Sequence, residues 1–161
     1  MKADFEVRND VAKRTIFTRM TGVFDAAEMT AWAKKYRLAT DSYGGRTHLV
    51  IADMRGMKTA RPKVAEILGA AIGHARAHGV ALCAHLSDDT VQRLQVARVA
   101  RSNSPHDDVT VDVSSLEEAH RVCDEVRDRL NPSGVQASVR SLLGEGQASE
   151  PRESTGSKVG R

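Results

Sequence analysis

A short apolar run that ends in an acidic residue is the stretch of this sequence most typical of a functional site. Leu49–Ala52 is apolar at every position and stops at Asp53, as expected of a buried strand whose carboxyl end carries a working loop. A helix starts soon afterwards, near Pro62, so basic side chains between the two could hold an anion. These cations are Arg55, Lys58, Arg61 and Lys63. Two other interpretations stay open: Asp53 as a turn-former and the cations as a solvated loop.

Six histidines raise the question of a metal site. His74 and His78 have the i, i+4 spacing that places both on one helical face, as in some zinc sites. Ala75 stands where an HExxH motif has its glutamate, and no nearby Cys/His pair supplies further ligands. We therefore predict a surface pair and no metal. His85 is expected to be a satisfied core or strand-end histidine, and His106 to belong to a polar loop.

Motifs for catalysis are missing from the sequence. It contains no Gly-x-Ser-x-Gly elbow, no phosphate-binding Gly-rich loop with Lys-Ser/Thr, and no Gly-x-Gly-x-x-Gly fingerprint. The two cysteines, Cys83 and Cys123, fall on apolar patterns, which favours buried reduced thiols over a disulfide. We expect a protein that is not an enzyme and needs no cofactor, although acid–base residues that converge from distant positions escape a motif search.

Hydrophobic periodicity predicts the elements that position these residues, in the order β-β-α-β-α-β-α-β-α. The predicted strands are Phe5–Arg8, Thr15–Phe24, Leu49–Ala52, Val80–Leu86 and Val109–Val113, and the predicted helices begin near Asp25, Pro62, Val91 and Ser115. The first two strands form a hairpin, and the later strand–helix units suit right-handed crossovers between parallel strands. The expected fold is α/β, a mixed sheet with helices packed on it. In the third helix, Val91, Leu94 and Ala97 are expected to face the core.

Length and charge narrow the class of protein further. The chain has 161 residues, enough for one domain with a proper core, and a formal net charge of only +3. We place that domain at 1–130 and expect a disordered tail at 131–161, where apolar residues are few. No window is apolar enough to span a membrane, which predicts a cytoplasmic protein. The mild charge disfavours a dedicated nucleic-acid binder, although Arg93, Arg98 and Arg101 keep that reading open.

The order of elements, with its motifs, resembles the STAS fold of bacterial anti-sigma-factor antagonists, especially the SpoIIAA-like (STAS/SEC14-like) branch. The strand ending in Asp53-Met54-Arg55-Gly56 is similar to the family's strand that ends in Asp-Leu-Ser-Gly or Asp-x-Arg-Gly. A helix starts a few residues later, and Ser-Leu-Glu-Glu-Ala at Ser115–Ala119 looks like the opening of the family's last helix. The resemblance covers roughly Phe5–Leu130.

This resemblance implies a non-enzymatic regulatory module that binds a protein partner, such as a kinase-like anti-sigma factor. The family's phosphorylated serine, just before the second helix, has no counterpart at Arg61-Pro62-Lys63, and Thr59 is the nearest hydroxyl. We predict partner binding by the loop, with Met54 and Met57 as adaptable anchors. The full predicted surface is Asp53, Met54, Arg55, Met57, Lys58, Thr59, Arg61 and Lys63. Whether the protein forms a homodimer stays open.

A second function follows from the same resemblance, because SEC14-like relatives bind lipids. It would require an apolar cavity between the sheet and one helix. The residues expected to line that cavity are Met29, Trp32 and Ile67.

Overall fold

The structure of the protein is a computed structural model that describes residues 1–105 and 108–130. Within these residues the element order is the predicted one. The strands are β1 (Asp4–Asp10), β2 (Thr15–Thr21), β3 (His48–Asp53), β4 (Val80–Leu86) and β5 (Thr110–Asp112). The helices are α1 (Ala26–Asp41), α2 (Pro62–Ala77), α3 (Thr90–Asn103) and α4 (Leu116–Leu130). The predicted α/β fold is confirmed, whereas the predicted tail at 131–161 lies outside the described residues.

The chain divides into two units, Met1–Cys123 and Asp124–Arg161. The first unit holds all five strands, α1 to α3 and the start of α4. Of the second unit, the structure describes residues 124–130, which are the end of α4.

The five strands form a single mixed sheet in the order β1-β2-β3-β4-β5. The hairpin pair β1 and β2 is antiparallel, and β2 through β5 are parallel to one another. Each new parallel strand is added on the same side of the last one. Since the crossovers between parallel strands are right-handed, α1, α2 and α3 lie on the same face of the sheet. Accordingly, α1 packs against α2, and α2 packs against α3.

Local sequence explains where three of the helices begin. Asp25 and Glu28 form a reciprocal capping box at the start of α1. At the start of α3, the Asp89 side chain accepts hydrogen bonds from two backbone N–H groups. Pro62 occupies the first turn of α2, where its missing N–H costs nothing. These caps explain why the predicted helix starts lie close to the observed ones.

Both faces of the central strands are buried, as an all-apolar strand requires. Residues on the helix-covered face include Ile16, Val50 and Cys83, which adjoin one another in register and belong to the main core. Alternate residues point to the other face and lie outside that core cluster, yet they too are buried. They are Leu49, Ile51, Leu82, Ala84 and Leu86.

Two residues of α4 are buried in the same way. Ala119 and Cys123 of α4 are fully or nearly fully buried and also lie outside the main core cluster. Cys83 and Cys123 are both buried, as their apolar sequence patterns predict.

Gly22 connects the hairpin to the loop that follows β3. Its N–H donates to Gly56 O (2.9 Å), and its carbonyl accepts from Lys58 N (3.0 Å). Its φ of +87° lies in the left-handed region, and a Cβ there would overlap the backbone carbonyl of Lys2. β2 therefore ends at Thr21, earlier than the predicted Phe24, because the backbone leaves the extended region at this glycine.

Substitution of Gly22 tests how strongly this connection depends on glycine. Gly22→Ala combines left-handed strain with a backbone clash and is expected to lower the free energy of unfolding by about 3 kcal/mol. Gly45→Ala is the matched control, because Gly45 has a similar φ of +84° and no atom within 4 Å of the added Cβ. Gly45→Ala should lower the free energy of unfolding, measured by urea denaturation, by about 1 kcal/mol. Equal losses in the two variants would show that the contact with Lys2 is unimportant.

Candidate functional site

The loop after β3 and the first turn of α2 present a row of exposed basic side chains, as predicted. Arg55, Lys58, Arg61 and Lys63 are all exposed, and so is Thr59. No ion pair of Lys58, Arg61 or Lys63 occurs within residues 1–105 and 108–130. This part of the predicted partner surface is therefore accessible and electropositive.

Asp53, the last residue of β3, has a structural role at the start of that loop. It is 4% exposed, and its carboxylate accepts a bidentate pair of bonds from Arg55, at 2.8 Å from Nε and 2.7 Å from Nη2. The backbone N–H of Arg55 also donates to it (3.2 Å). Burial opposes ionisation, but these hydrogen bonds outweigh it, so the pKa of Asp53 lies below its ordinary value. Asp53 thus serves as a turn-former that orients Arg55, and its placement on the partner surface is corrected.

Met54 and Met57 are not surface anchors, and that prediction is wrong. Their side chains are 3% and 1% exposed and belong to the main core cluster. The buried amide of Gln92 lies 3.5 Å from the sulfur atom of each. Within Asp-Met-Arg-Gly-Met, Asp53 and both methionines are buried and Arg55 is exposed, because the turn packs its two methionines against Gln92 of α3. An acidic substitution at Met57 would place a charge in the core, so a resulting loss of partner binding would not identify a binding surface.

Two side chains from α3 and its approach hold the loop in place. Gln95 forms a reciprocal pair with the backbone of Ala60, donating to its carbonyl (2.7 Å) and accepting from its N–H (2.8 Å). Asp88 accepts from the N–H of Gly56 (3.0 Å). Sequence reasoning missed these residues because their partners lie more than thirty positions away.

The buried face of α3 also differs from the predicted one. Val91 and Leu94 are 65% and 60% exposed, whereas Gln92, Val96 and Ala100 are buried. Packing against α2 explains why α3 turns a different face inward. Val99 and Asn103 of α3 lie so close to Gly69 of α2 that a side chain at Gly69 would clash with them. An apolar pattern alone could not reveal that a glutamine is the buried residue.

A cavity of about 150 Å³ lies between the sheet and helices α1 to α3. Small and apolar residues from several elements form much of its wall, including Ala52 of β3, Ile72 of α2 and Val96 of α3. The remaining lining residues are Thr18, Trp32, Tyr36, Met54, Arg76, Cys83, His85, Ala97, Ala100, Arg101, Thr110 and Asp112. Trp32 is thus the predicted cavity residue that the structure places there. Met29 and Ile67 are not among these lining residues, and that part of the prediction is corrected: Met29 is fully buried elsewhere in the core, and Ile67 packs partly buried against the core.

Polar groups gather on the part of the cavity wall formed by β4 and β5. His85 Nδ1 lies 3.1 Å from Asp112 Oδ1, and Arg76 Nη2 donates to Thr110 Oγ1 (2.8 Å). Arg76 also hydrogen-bonds to Tyr36, whose pKa burial raises well above its ordinary value. Both acceptors, Thr110 and Asp112, therefore come from β5, which pairs with β4.

His85 is the group whose surroundings point most directly to a ligand. The side chain is 3% exposed, and burial lowers its pKa even though Asp112 favours the charged form. Because the neutral ring donates from Nδ1 to Asp112, Nε2 is left as an acceptor. That buried atom has no hydrogen-bond partner in the described part of the chain. Leaving such an atom unsatisfied costs about 1–3 kcal/mol, which a bound donor would recover.

The other histidines behave differently. His74 Nε2 lies 2.7 Å from Asp41 Oδ1, and the rings of His74 and His78 stack with centroids 4.1 Å apart. Within residues 1–105 and 108–130 no group of three or more His, Cys, Asp and Glu side chains could hold a metal ion. His106 lies outside the described residues.

No family model, curated protein or solved structure matches this chain. None of the described helices is both long and apolar enough to cross a membrane.

Burial of His85 makes a prediction about pH. Because its pKa is lowered on folding, the unfolded chain binds more protons below about pH 6.5, so stability is complete above that value and falls as the pH drops. His48, whose pKa burial also lowers, acts in the same direction. Urea unfolding from about pH 7.5 to 5.5 should show a loss of at most about 1.4 kcal/mol per pH unit for each histidine.

The control for this prediction is His85→Asn, whose amide nitrogen takes the place of Nδ1. The amide can still donate to Asp112 but does not titrate, so the variant should lose less stability than the wild type between these pH values. An identical pH dependence in the two proteins would assign the effect to other groups.

Proposed function

We propose that this chain is a non-enzymatic STAS-like binding module whose ligand is a small molecule held in the cavity between the sheet and α1 to α3. The N-terminal hairpin, the three successive crossover units and the Asp53-Met54-Arg55-Gly56 turn support the family assignment. The observation that carries the function is the cavity itself, whose wall includes a buried imidazole nitrogen that needs a donor.

The volume of the cavity limits the size of the ligand. A cavity of about 150 Å³ matches the volume that accommodates a benzene-sized molecule, whereas drug-sized ligands occupy pockets of roughly 300 Å³ or more. The acyl chains of a lipid exceed this space. The proposed ligand is therefore compact, and the SEC14-like lipid carrier is the less suitable form of this function.

Ligand recovery tests this proposal. Protein purified gently from its native host is expected to release a compact molecule, detected by native mass spectrometry before and after denaturation. Ala97→Leu adds bulk to the cavity wall and should reduce recovery at least tenfold, because the ligand and the new side chain compete for the same volume. Ala70→Leu, on the exposed side of α2, is the matched control and should leave recovery unchanged. The bare-chain mass alone from the wild type would contradict the proposal.

A second candidate function is regulatory protein binding by the basic loop, as in anti-sigma-factor antagonists. The favouring observation is that Lys58, Arg61 and Lys63 are exposed on a backbone held by Gln95 and Gly22, so the charges are presented in a fixed arrangement. Such a surface suits an acidic partner, which would be attracted by complementary charge.

Charge reversal tests the loop. Lys58→Glu/Lys63→Glu should weaken capture of a stoichiometric native partner at least tenfold, with a larger loss at low salt, because the attraction is electrostatic. Lys34→Glu/Lys35→Glu on α1 makes the same change in net charge at two exposed positions and should retain the partner. A partner retained by both variants would remove the loop from consideration.

A further inference from the structure

The described residues in the wall of the cavity between the sheet and α1 to α3 carry more positive than negative charge. Of the described residues that line the cavity, two are arginines, Arg76 and Arg101, and one is an acid, Asp112. His85 is neutral near pH 7, since burial lowers its pKa. Two positive charges and one negative charge give these described lining residues a formal charge of +1.

From this charge and the size of the cavity, we propose that the site takes a compact organic monocarboxylate with a benzene-sized apolar body. The inference rests on the proposed function and names the class of ligand for the same cavity. The apolar part of the ligand occupies the space beside Ala52, Ile72 and Val96. The carboxylate lies toward the arginines.

Arg101 is the cation best suited to meet that carboxylate. It is exposed while also lining the cavity, so it lies where the site communicates with solvent. Its side chain forms no hydrogen bond or ion pair with other residues of the described ranges. A guanidinium keeps its charge at all ordinary pH values and offers paired donors that match a carboxylate. Arg101 lies on the last turn of α3, so the helix backbone positions it at the cavity.

The same wall disfavours a dianion. Asp112 lies at the polar side of the cavity, hydrogen-bonded to His85, and its carboxylate repels a second negative charge on the ligand. One net positive charge balances one carboxylate. The unpartnered Nε2 of His85 adds a second requirement, because as an acceptor it favours a ligand that brings a water or its own donor into the site.

Three probes of similar size test the class of ligand: benzoate, its neutral analogue benzamide, and phenyl phosphate. Each is titrated into the purified full chain at neutral pH and followed by amide chemical shifts in NMR. Benzoate is expected to bind about tenfold more tightly than benzamide, because a charge-assisted hydrogen bond to Arg101 is stronger than the neutral bond that the benzamide NH2 group can donate to His85 Nε2. Phenyl phosphate should bind more weakly than benzoate because of the acid in the wall.

Two arginine variants locate the charge. Arg101→Gln should abolish the preference for benzoate over benzamide, whereas Arg98→Gln, one turn earlier on α3, exposed and outside the lining, should preserve it. Ala97→Leu should weaken all three probes if they occupy the cavity.

The outcomes separate this inference from the proposed function. Equal affinity for benzoate and benzamide would overturn the carboxylate assignment and leave small-molecule binding intact. Tighter binding of phenyl phosphate, or a benzoate preference that survives Arg101→Gln, would overturn it as well. Benzoate binding that persists in Ala97→Leu places the probe elsewhere and also contradicts it. Failure of all three probes to bind would overturn this inference, whereas the cavity function is decided separately by whether the purified protein releases a bound molecule.

Discussion

The handedness of parallel crossovers is the constraint on which the rest of this structure depends. Strands β2 to β5 follow one another across the sheet, so each right-handed connection places its helix on the same face. Three helices must then share that face side by side. Their contacts with one another, and not only with the sheet, decide which residues are buried. Gly69 and Gly73 of α2 permit close approach of α3 because neither carries a Cβ to meet Asn103.

The cavity is a consequence of that arrangement together with the composition of the core. Aromatic residues make up only 4% of the chain, and small side chains such as Ala52, Ala97 and Ala100 line the space beneath α3. Trp32 and Tyr36 stack with ring centroids 5.0 Å apart and form part of the α1 side of the wall. Protein interiors are ordinarily filled to the density of organic crystals, so a cavity with polar groups in its wall is informative about function.

The cavity and the basic loop share structural elements. Met54 lines the cavity and directly precedes the exposed Arg55, while the amide of Gln92 contacts both Met54 and Met57. Gln95, one turn further along α3, pairs with the loop backbone at Ala60. The two candidate functions are thus compatible in one molecule, since α3 contributes to the cavity wall and also supports the loop that faces solvent.

The sequence by itself determined the order of strands and helices, the helix starts at Asp25 and Pro62, and the exposed cations after β3. These features depend on local chemistry, namely periodicity, caps and turn residues, which neighbours in the chain carry. The tertiary structure decided three features: the burial of Met54 and Met57, the burial of the Gln92 side chain, and the hydrogen bond between His85 and Asp112. These depend on the packing of three helices on one face and on strand register. Those contacts join residues far apart in the sequence, so no local pattern records them.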